Sequence, residues 1–466
     1  MTPARRIAGR AITTIDGVDP ILRQRLIQAF DGTAASQCGF CTPGILLRLC
    51  GLARKGVPNE QQVRTALGAH LCRCTGLQPI IEAALQALDP AATLAEPRDP
   101  KLASQRASLE SGTQQRVGTD VILGVPGFAV DTAPDDALMA IGTADGGYVV
   151  GASRADVTRN SSKVQGRNST IPLRFPLAIP SLADAALTLQ TTFVEPAYVE
   201  PDASWCEPGG EPAVAYANAG AFGAKRNSSI MADAQRLSTD HENAVLAQWP
   251  REEVVRRGAK RPPLSIALRL DGTGVLHIGR TPGSDSYEGL IAQLETTASM
   301  LEIEIVDIVG PRLGVTHRGA VLAEVLAVYG ALGASPDGTV SVTTPNGATA
   351  AVTIQSDGAV SVVVNAGQPL CNATLRSYVI GAVHQGLGMV LSEGIAVDEQ
   401  GSIHDLTIRS FGILTALQMP VVEVTIIPDE RDPVAAGTAV LAAAMGAQWV
   451  RAGLGSKWPV NQEDVS

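Results

Sequence analysis

Four cysteines lie near the start of the chain in two closely spaced pairs. The stretch SQCGFCTPG holds Cys38 and Cys41, and the stretch LCRCTG holds Cys72 and Cys74. Cysteine thiolates bind iron or zinc, so two turns that each aim two sulfurs at one centre predict a four-thiolate metal site. Both pairs stand close to expected helix starts, where unpaired N–H groups favour thiolates. The spacing leaves three interpretations open: an iron–sulfur cluster, a structural zinc ion, or four unrelated core cysteines.

The remaining cysteines and the histidines carry weaker signals. His384 lies on an expected helix beside a Gln-Gly pair, and we interpret it as a hydrogen-bonded core histidine, with a pocket-lining role as the alternative. His317 and His404 lack partners at ligand spacing. Three cysteines lie apart from the two pairs and are interpreted as structural: Cys50, Cys206 and Cys371.

The overall composition restricts the partners of the chain. It has 466 residues, a net charge of −10 and a pI of about 5.2. Such an acidic chain does not suit nucleic acid, because phosphate contacts need a basic face. The longest apolar stretch, Val434 to Val450, is too short and too rich in Ala and Gly for a membrane span, and no secretory signal is visible. We therefore expect a cytoplasmic protein without membrane attachment, whose cysteines are reduced or bound to metal.

Helices are expected to position the cysteines. Residues 1–88 contain four short stretches of helical character, with Pro43 near one helix start and Asn59 as a plausible N-cap. Four short helices with tight connections predict a small bundle. Residues 89–118 are rich in Pro, Ser, Ala and charge without steady periodicity, and this composition predicts an interdomain linker.

The rest of the chain, residues 119–466, has a different character. Gly-, Val- and Thr-rich stretches alternate as strands do, and Asn346-Gly347 indicates a hairpin turn. Helical segments interrupt these strands, among them 321–332 and a long one that begins at Asn372. The predicted fold class is therefore α+β and multidomain, with an N-terminal helical bundle followed by a mixed α/β region.

The motifs QCGFCTPG and HLCRCTG resemble the helical 2Fe-2S domain of the xanthine dehydrogenase and aldehyde oxidase family of molybdenum hydroxylases. The resemblance covers about residues 12–88 and implies that the four paired cysteines, Cys38, Cys41, Cys72 and Cys74, ligate one 2Fe-2S cluster. It favours iron over zinc. Family members carry a ferredoxin-like 2Fe-2S domain ahead of this one, and the stretch RAITTIDGVDP looks like the closing strand of that domain, a remnant within residues 1–17. The resemblance thus implies either a separate ferredoxin-like chain or a truncated reading frame.

The second part of the chain resembles the molybdopterin-binding subunit of the same family. The stretch NAGAFGAK, residues 218–225, looks like the glycine-rich loop that approaches the molybdenum centre, and the long stretch around QGLG resembles a late helix of that subunit. Small residues let backbone N–H groups come close to a pterin phosphate or an oxo group. The resemblance implies cofactor binding by five residues: Gly220, Phe222, Gly223, Gln385 and Gly386.

The second part also departs from the family pattern. Ala219 and Ala224 stand where the family's loop has glycines. The family's Gly-Val-Gly-Glu motif, which supplies the catalytic base, is missing, so the catalytic residues stay unassigned. The nearest carboxylates are interpreted as solvated surface groups: Glu393, Glu423 and Glu430. The region is also about half the length of a usual molybdenum subunit, which suggests a reduced pocket or one completed by another chain.

These resemblances predict an iron–sulfur oxidoreductase, or a subunit of one, of the molybdenum hydroxylase type. Electrons from hydroxylation of a purine, heterocycle or aldehyde would pass through a 2Fe-2S cluster, with molybdopterin as the second implied cofactor. The implied partners are a ferredoxin-like or FAD-containing subunit and a small-molecule substrate, within an oligomer. The alternative is a non-catalytic electron-transfer or scaffold partner, or a truncated paralogue.

Overall fold

The structure is a computed structural model that describes residues 6–161 and 171–460. Its α-helices, in chain order, are α1 (Pro20–Gly32), α2 (Thr42–Ala53), α3 (Glu60–Leu67), α4 (Gln78–Leu88), α5 (Pro100–Ser111), α6 (Thr119–Leu123), α7 (Ala129–Thr132), α8 (Arg154–Asn160), α9 (Ile230–His241), α10 (Arg251–Arg257), α11 (Glu288–Thr297), α12 (Leu322–Leu332), α13 (Asn372–Leu391) and α14 (Gly437–Arg451). Its strands are β1 (Leu138–Gly142), β2 (Tyr148–Gly151), β3 (Leu187–Thr191), β4 (Asp202–Cys206), β5 (Val245–Trp249), β6 (Leu264–Leu268), β7 (Gly274–Arg280), β8 (Leu301–Asp307), β9 (Val340–Thr343), β10 (Thr349–Ile354), β11 (Val360–Asn365), β12 (Val422–Ile426) and β13 (Lys457–Trp458).

The N-terminal bundle, α1 to α4, confirms the predicted four helices. Asp19 caps α1 by accepting from Leu22 N at 2.9 Å, with a proline at the first helical position. Asn59 caps α3, and the Gln62 side chain returns the hydrogen bond to the Asn59 backbone, also at 2.9 Å. Reciprocal capping of this kind satisfies two backbone N–H groups that a helix start leaves unpaired. The apolar faces of these helices meet in a core that also contains the cysteines.

Two predictions for the N-terminal part are wrong. Of the strand remnant predicted within residues 1–17, residues 1–5 lie outside the described part of the chain. Within 6–17, the structure has turns and a short 3-10 helix, Ile15–Gly17, in place of a strand. A strand needs a partner, and no strand of the described residues pairs with this segment. Residues 89–118, predicted as a linker, contain α5, which buries Arg106 and Glu110 and packs against α13.

Three sheets organise the second part of the chain. Their strand orders are β2-β1-β5-β4, β13-β3-β6-β7-β8 and β12-β11-β10-β9. Each mixes parallel and antiparallel pairs; β7 and β8, for example, run parallel with Gly274 opposite Leu301. The predicted hairpin at Asn346-Gly347 joins β9 to β10, and Gly347 has φ of +83°, which suits glycine. The mixed α+β fold class is thereby confirmed.

The largest core is formed by the second and third sheets together with α11, α12, α13 and α14. Helix α13 is buried along most of its 20 residues and packs against α14 on one side and α5 on another. It also reaches the cysteine bundle, where Tyr378 joins the bundle's core. The predicted helices at 321–332 and from Asn372 are confirmed. No helix in the described ranges is long and apolar enough to cross a lipid bilayer.

Candidate iron–sulfur centre

The four cysteines come from two loops at helix ends. Cys41 immediately precedes α2, and Cys38 lies one turn earlier beside Gly39, whose φ is +84°. Cys72 and Cys74 lie in the loop between α3 and α4. The side chains of Cys38, Cys72 and Cys74 are buried, and that of Cys41 is partly exposed.

The sulfurs form two neighbouring pairs. Cys38 Sγ and Cys74 Sγ are 3.6 Å apart, the thiols of Cys41 and Cys72 are neighbours, and the thiols of Cys72 and Cys74 connect the two pairs. Tetrahedral metal–thiolate bonds of about 2.3 Å place two sulfurs about 3.7 Å apart, so the first pair fits two ligands of one metal. Among the described residues, no three His, Cys, Asp or Glu side chains are grouped to hold a single ion. Four thiols in mutual contact can hold a binuclear centre with two thiolates for each iron.

The thiols influence each other's protonation. A hydrogen bond to Cys72, together with burial, raises the pKa of Cys41 well above its usual range. A hydrogen bond to Cys38, again with burial, raises the pKa of Cys74 in the same direction. Because metals bind thiolates, metal binding must displace these protons, and affinity at this site depends on pH.

Helix α13 closes over the second cysteine loop at two glycines. A methyl group on Gly381 would lie 1.7 Å from the Cys74 carbonyl oxygen, and one on Gly76 would lie 2.8 Å from the Ile380 carbonyl oxygen. Gly76 also has φ of +64°. Contacts this close exclude a side chain at either position, so the helix backbone rests directly on the loop.

A buried ion pair fastens the same loop to the second part of the chain. Both terminal nitrogens of the Arg73 guanidinium donate to the Glu393 carboxylate at 2.6 Å, and the side chains are 2% and 1% exposed. Arg73 Nε also donates to the Pro196 carbonyl at 3.0 Å. The interpretation of Glu393 as a solvated group is therefore wrong, because the glutamate neutralises an arginine that lies between two cysteines. Gly388 leaves room for the carboxylate; a methyl there would lie 2.3 Å from Glu393 Oε1.

The glycine-rich loop, residues 218–225, lies against the cysteines. Asn218 Nδ2 donates to the Cys38 carbonyl at 3.1 Å. A methyl on Gly220 would lie 2.4 Å from Cys74 Sγ and 3.2 Å from Cys38 Sγ. The structure thus brings Gly220 to the sulfur atoms, where only a bare backbone fits.

Phe222 and Gly223 line a small cavity beyond the sulfurs. Phe222 packs edge-on against Tyr378 with ring centroids 6.1 Å apart, and a methyl on Gly223 would lie 2.1 Å from the Thr316 carbonyl oxygen. The cavity holds about 170 Å³ and is also lined by Arg318. Small-molecule pockets usually hold about 300–1,000 Å³, so this space fits one anionic group, and a whole pterin cofactor would require it to widen.

Gln385 and Gly386 lie away from that cavity. Gln385 Nε2 donates to the Arg73 carbonyl at 3.0 Å, so this side chain supports the cysteine loop. Gly386 lies where α13 crosses α14, with a built methyl 3.0 Å from the Leu441 carbonyl oxygen. The five residues implied as cofactor ligands therefore divide into three groups: Gly220 lies at the sulfurs, Phe222 and Gly223 line the cavity, and Gln385 and Gly386 lie on α13 with supporting and packing roles. His384 is buried and hydrogen-bonded to the Leu414 carbonyl at 2.9 Å, which confirms the core interpretation.

A larger cavity of about 700 Å³ lies on the outer side of the cysteines. It touches Cys41, the only one of the four that is partly exposed, and Phe40, which is 45% exposed. Arg251 and Arg409 add positive charge to its wall. Glu423 and Glu430, by contrast, are exposed surface groups, as expected.

Comparisons with known proteins agree with this geometry. Residues 14–85 match the family described as the 2Fe-2S binding domain. Aldehyde oxidase 1 of Oryctolagus cuniculus is 43% identical over 89 residues, and xanthine dehydrogenase of Blastobotrys adeninivorans is 40% identical over 90 residues. Each match covers 18% of this chain and spans about 6% of the relative's own length.

The likeness in fold extends further. The aldehyde oxidoreductase of Desulfovibrio gigas superposes with a TM-score of 0.61 at 12% identity, covering 96% of this chain and 90% of that one. The corresponding enzyme of Desulfovibrio desulfuricans gives a TM-score of 0.62 at 13% identity, covering 94% and 90%. The chain therefore begins with a 2Fe-2S binding domain and has the fold of an aldehyde oxidoreductase. The predicted resemblance to the xanthine dehydrogenase and aldehyde oxidase family is thereby confirmed for the N-terminal domain, and the rest of the chain shares the fold.

Proposed function

We propose that this chain holds one 2Fe-2S cluster and passes single electrons within an oxidoreductase of the molybdenum hydroxylase type. The observation that carries the proposal is the pairing of four thiols inside a domain of the 2Fe-2S binding family. Cys38 and Cys74 would bind one iron, and Cys41 and Cys72 the other. When bound, the cluster supplies one-electron chemistry at a potential set by hydrogen bonds, charge and burial.

Groups of the chain around the sulfurs would adjust that potential. Thr75 Oγ1 lies 3.1 Å from Cys72 Sγ and can donate to the thiolate. The bare backbone of Gly220 covers Cys74 without adding a side chain. Donors to the sulfurs stabilise the more negative, reduced state, whereas exclusion of water opposes it. The Thr75 hydroxyl is therefore expected to raise the potential.

Metal analysis of protein purified without oxygen tests the cluster. We expect two irons and two labile sulfides per chain, with the visible absorption and reduced-state EPR signal of a 2Fe-2S centre. Cys74→Ser should lose the signal, and Cys50→Ser, which changes a thiol on α2 outside the group, should keep it. One zinc per chain without iron would contradict the proposal.

We further propose that the loop at Phe222 and Gly223 holds the anionic end of a molybdopterin cofactor. The likeness in fold and the cavity beside Arg318 support this proposal. When bound, the cofactor supplies two-electron oxidation of an electron-poor carbon, with a purine, heterocycle or aldehyde as substrate. Molybdenum near one per chain, in protein from a molybdenum-supplied host, is the expected result. Iron without molybdenum would favour the non-catalytic electron-transfer protein or truncated paralogue.

Electrons are proposed to leave at Cys41 towards a ferredoxin-like or FAD-containing partner. The large cavity, the exposed Phe40 ring and the partial exposure of Cys41 make this the accessible side of the centre. Arg409→Glu should slow reoxidation of the reduced centre by an acidic ferredoxin and weaken the salt dependence of that rate. An unchanged rate would exclude this face. A cytoplasmic location belongs to the same proposal, because the site needs reduced thiols.

A further inference from the structure

The cavity beside Cys41 has the size and the wall of a small-molecule site. It holds about 700 Å³, within the range of about 300–1,000 Å³ that is usual for such sites. Both parts of the chain contribute apolar side chains to its wall: Phe40, Leu71, Val199, Ile408 and Ile413. A concave apolar wall favours a ligand with an apolar body, because binding removes that body from water.

Phe40 gives this cavity an aromatic surface. Its ring meets Phe128 in an edge-to-face contact, with the ring centroids 6.3 Å apart. The Phe40 side chain is nevertheless almost half exposed and lines the cavity. Planar rings pack on an aromatic side chain in offset-stacked or edge-to-face arrangements. The wall therefore suits a ligand whose apolar body is itself a planar ring.

Among the described residues on the wall, two arginines carry the only charges, Arg251 and Arg409. Arg251 Nη2 donates to the Val199 carbonyl at 3.1 Å, whereas Arg251 Nη1 is buried and has no hydrogen-bond partner in the described ranges. Arg409 is exposed. A guanidinium presents its N–H groups as a planar fork that matches a carboxylate. The unpaired nitrogen of Arg251 therefore indicates an anionic group on the ligand.

Carboxylates of the chain near Arg251 already have other partners. Three of them lie around Tyr198, whose ring centroid is 5.7 Å from Arg251 Cζ. Two contact buried lysines at 2.9 and 3.3 Å, and the third accepts from the tyrosine hydroxyl at 3.0 Å; the pairs are Glu195 with Lys260, Glu200 with Lys225, and Asp202 with Tyr198. Within the described part of the chain, no carboxylate is thus left for Arg251 Nη1.

We propose that this cavity binds a small planar aromatic carboxylate. Its ring lies against Phe40 and the aliphatic side chains, and its carboxylate accepts from Arg251 Nη1, with Arg409 adding positive charge. This inference goes beyond the proposed function, because binding itself needs no cluster.

The consequence for electron exit at Cys41 does rest on the proposed function. A ligand in the cavity covers the partly exposed side of Cys41 and competes with a protein partner for that face. It also displaces water and brings a negative charge close to the thiolates, so it lowers the reduction potential of a bound cluster.

The first test is calorimetric titration of the full chain with 2-naphthoate, a planar aromatic carboxylate. Two other compounds separate the parts of the proposed ligand: 2-naphthamide has the same ring without the charge, and acetate has the charge without the ring. One saturable site per chain is expected for naphthoate, with naphthamide at least tenfold weaker and acetate without saturation. Equal affinity for naphthoate and naphthamide would overturn the proposal, as would a lack of naphthoate binding.

Variants of Arg251 then locate the site. Arg251→Gln should weaken naphthoate binding about tenfold to a hundredfold, since it removes a charged hydrogen bond, and Arg251→Lys should keep part of the affinity. The affinity for naphthamide should stay the same in both variants. Arg280→Gln is the matched control, because Arg280 pairs with Asp307 on the surface at the end of β7. Equal naphthoate binding by Arg251→Gln and the wild type would reject the site.

A second set of variants covers loss of the fold. Arg251 also holds the Val199 carbonyl, so thermal unfolding of each variant is recorded without ligand. If Arg251→Gln unfolds at the titration temperature, Arg409→Gln and Phe40→Leu decide, because both change exposed side chains. Each should weaken naphthoate binding several-fold. Unchanged affinity in both would count against the cavity.

Parallel titrations of iron-free and iron-loaded protein distinguish this proposal from the proposed function. Naphthoate binding by protein that takes up no iron defeats only the cluster assignment, whereas a loaded cluster without naphthoate binding defeats only the ligand site. On loaded protein, naphthoate should shift the reduction potential to more negative values and slow reoxidation by an acidic ferredoxin. A ligand that leaves both quantities unchanged would overturn its placement beside Cys41.

Discussion

The Arg73–Glu393 pair makes a quantitative prediction about how the cysteine loop is held. Glu393→Gln keeps the shape of the side chain and removes its charge, which leaves the Arg73 guanidinium buried beside Cys72 and Cys74. Removing one partner of a buried pair costs about 3–5 kcal/mol of unfolding free energy. With both side chains at most 2% exposed, water cannot replace the lost carboxylate. We therefore expect a loss in the upper part of that range.

The assay is denaturant unfolding of metal-loaded protein, followed by far-UV circular dichroism and by the cluster absorption. Glu393→Gln should lower the midpoint of both transitions, and the cluster should be released first, because Arg73 lies within its loop. The double variant Arg73→Met, Glu393→Met should recover most of the loss, since apolar residues can replace a buried ion pair at little cost. A surface control, Arg280→Gln, should change neither transition. A loss below about 1 kcal/mol for Glu393→Gln would refute the reasoning, because exposed pairs already reach that value.

Three further changes test neighbouring contacts. Gly381→Ala places a methyl 1.7 Å from the Cys74 carbonyl oxygen and should separate α13 from the loop, which iron retention during dialysis would reveal; full retention would contradict the contact. Gly220→Ala, with a methyl 2.4 Å from Cys74 Sγ, should lower iron content without unfolding the bundle, as seen by circular dichroism; Gly44→Ala, with nothing near its methyl, is the control. Asn59→Ala should cost about 1 kcal/mol of unfolding free energy through loss of the cap, and an unchanged denaturation midpoint would argue against the capping box.

The sequence predicted correctly those elements whose hydrogen bonds form between residues a few positions apart. The Asn59 cap, Pro43 at the start of α2 and the Asn346-Gly347 turn act over a few residues, so the sequence predicted their elements correctly. Within each cysteine pair the two residues are close in sequence, and this spacing alone indicated a metal site. The choice between iron and zinc needed the motif resemblance, because both metals accept four thiolates.

The features that the sequence did not predict depend on contacts between residues that are far apart in the chain. Helix α5 has no apolar stripe, because its buried face presents Arg106 and Glu110 to carbonyl and N–H groups near residues 366–369 and 434–437. Glu393 looks like any surface glutamate until Arg73, 320 residues earlier, is placed beside it. Arg318 gave no signal at all. Its burial follows from the docking of a loop and a helix terminus, and neither contact is visible in a local pattern.

The covering of the cysteine loop by α13 has a consequence for the order of events during synthesis. The bundle is complete at Leu88, whereas α13 ends about three hundred residues later. At 5–20 residues per second, the ribosome needs on the order of 15–60 s to make that stretch. During this interval the nascent bundle lacks Gly381 and Glu393, and its second cysteine loop is not covered by α13. Iron that arrives during this interval can reach the cysteine loop directly. Iron that arrives after α13 has docked can reach it only if α13 moves away from Cys74.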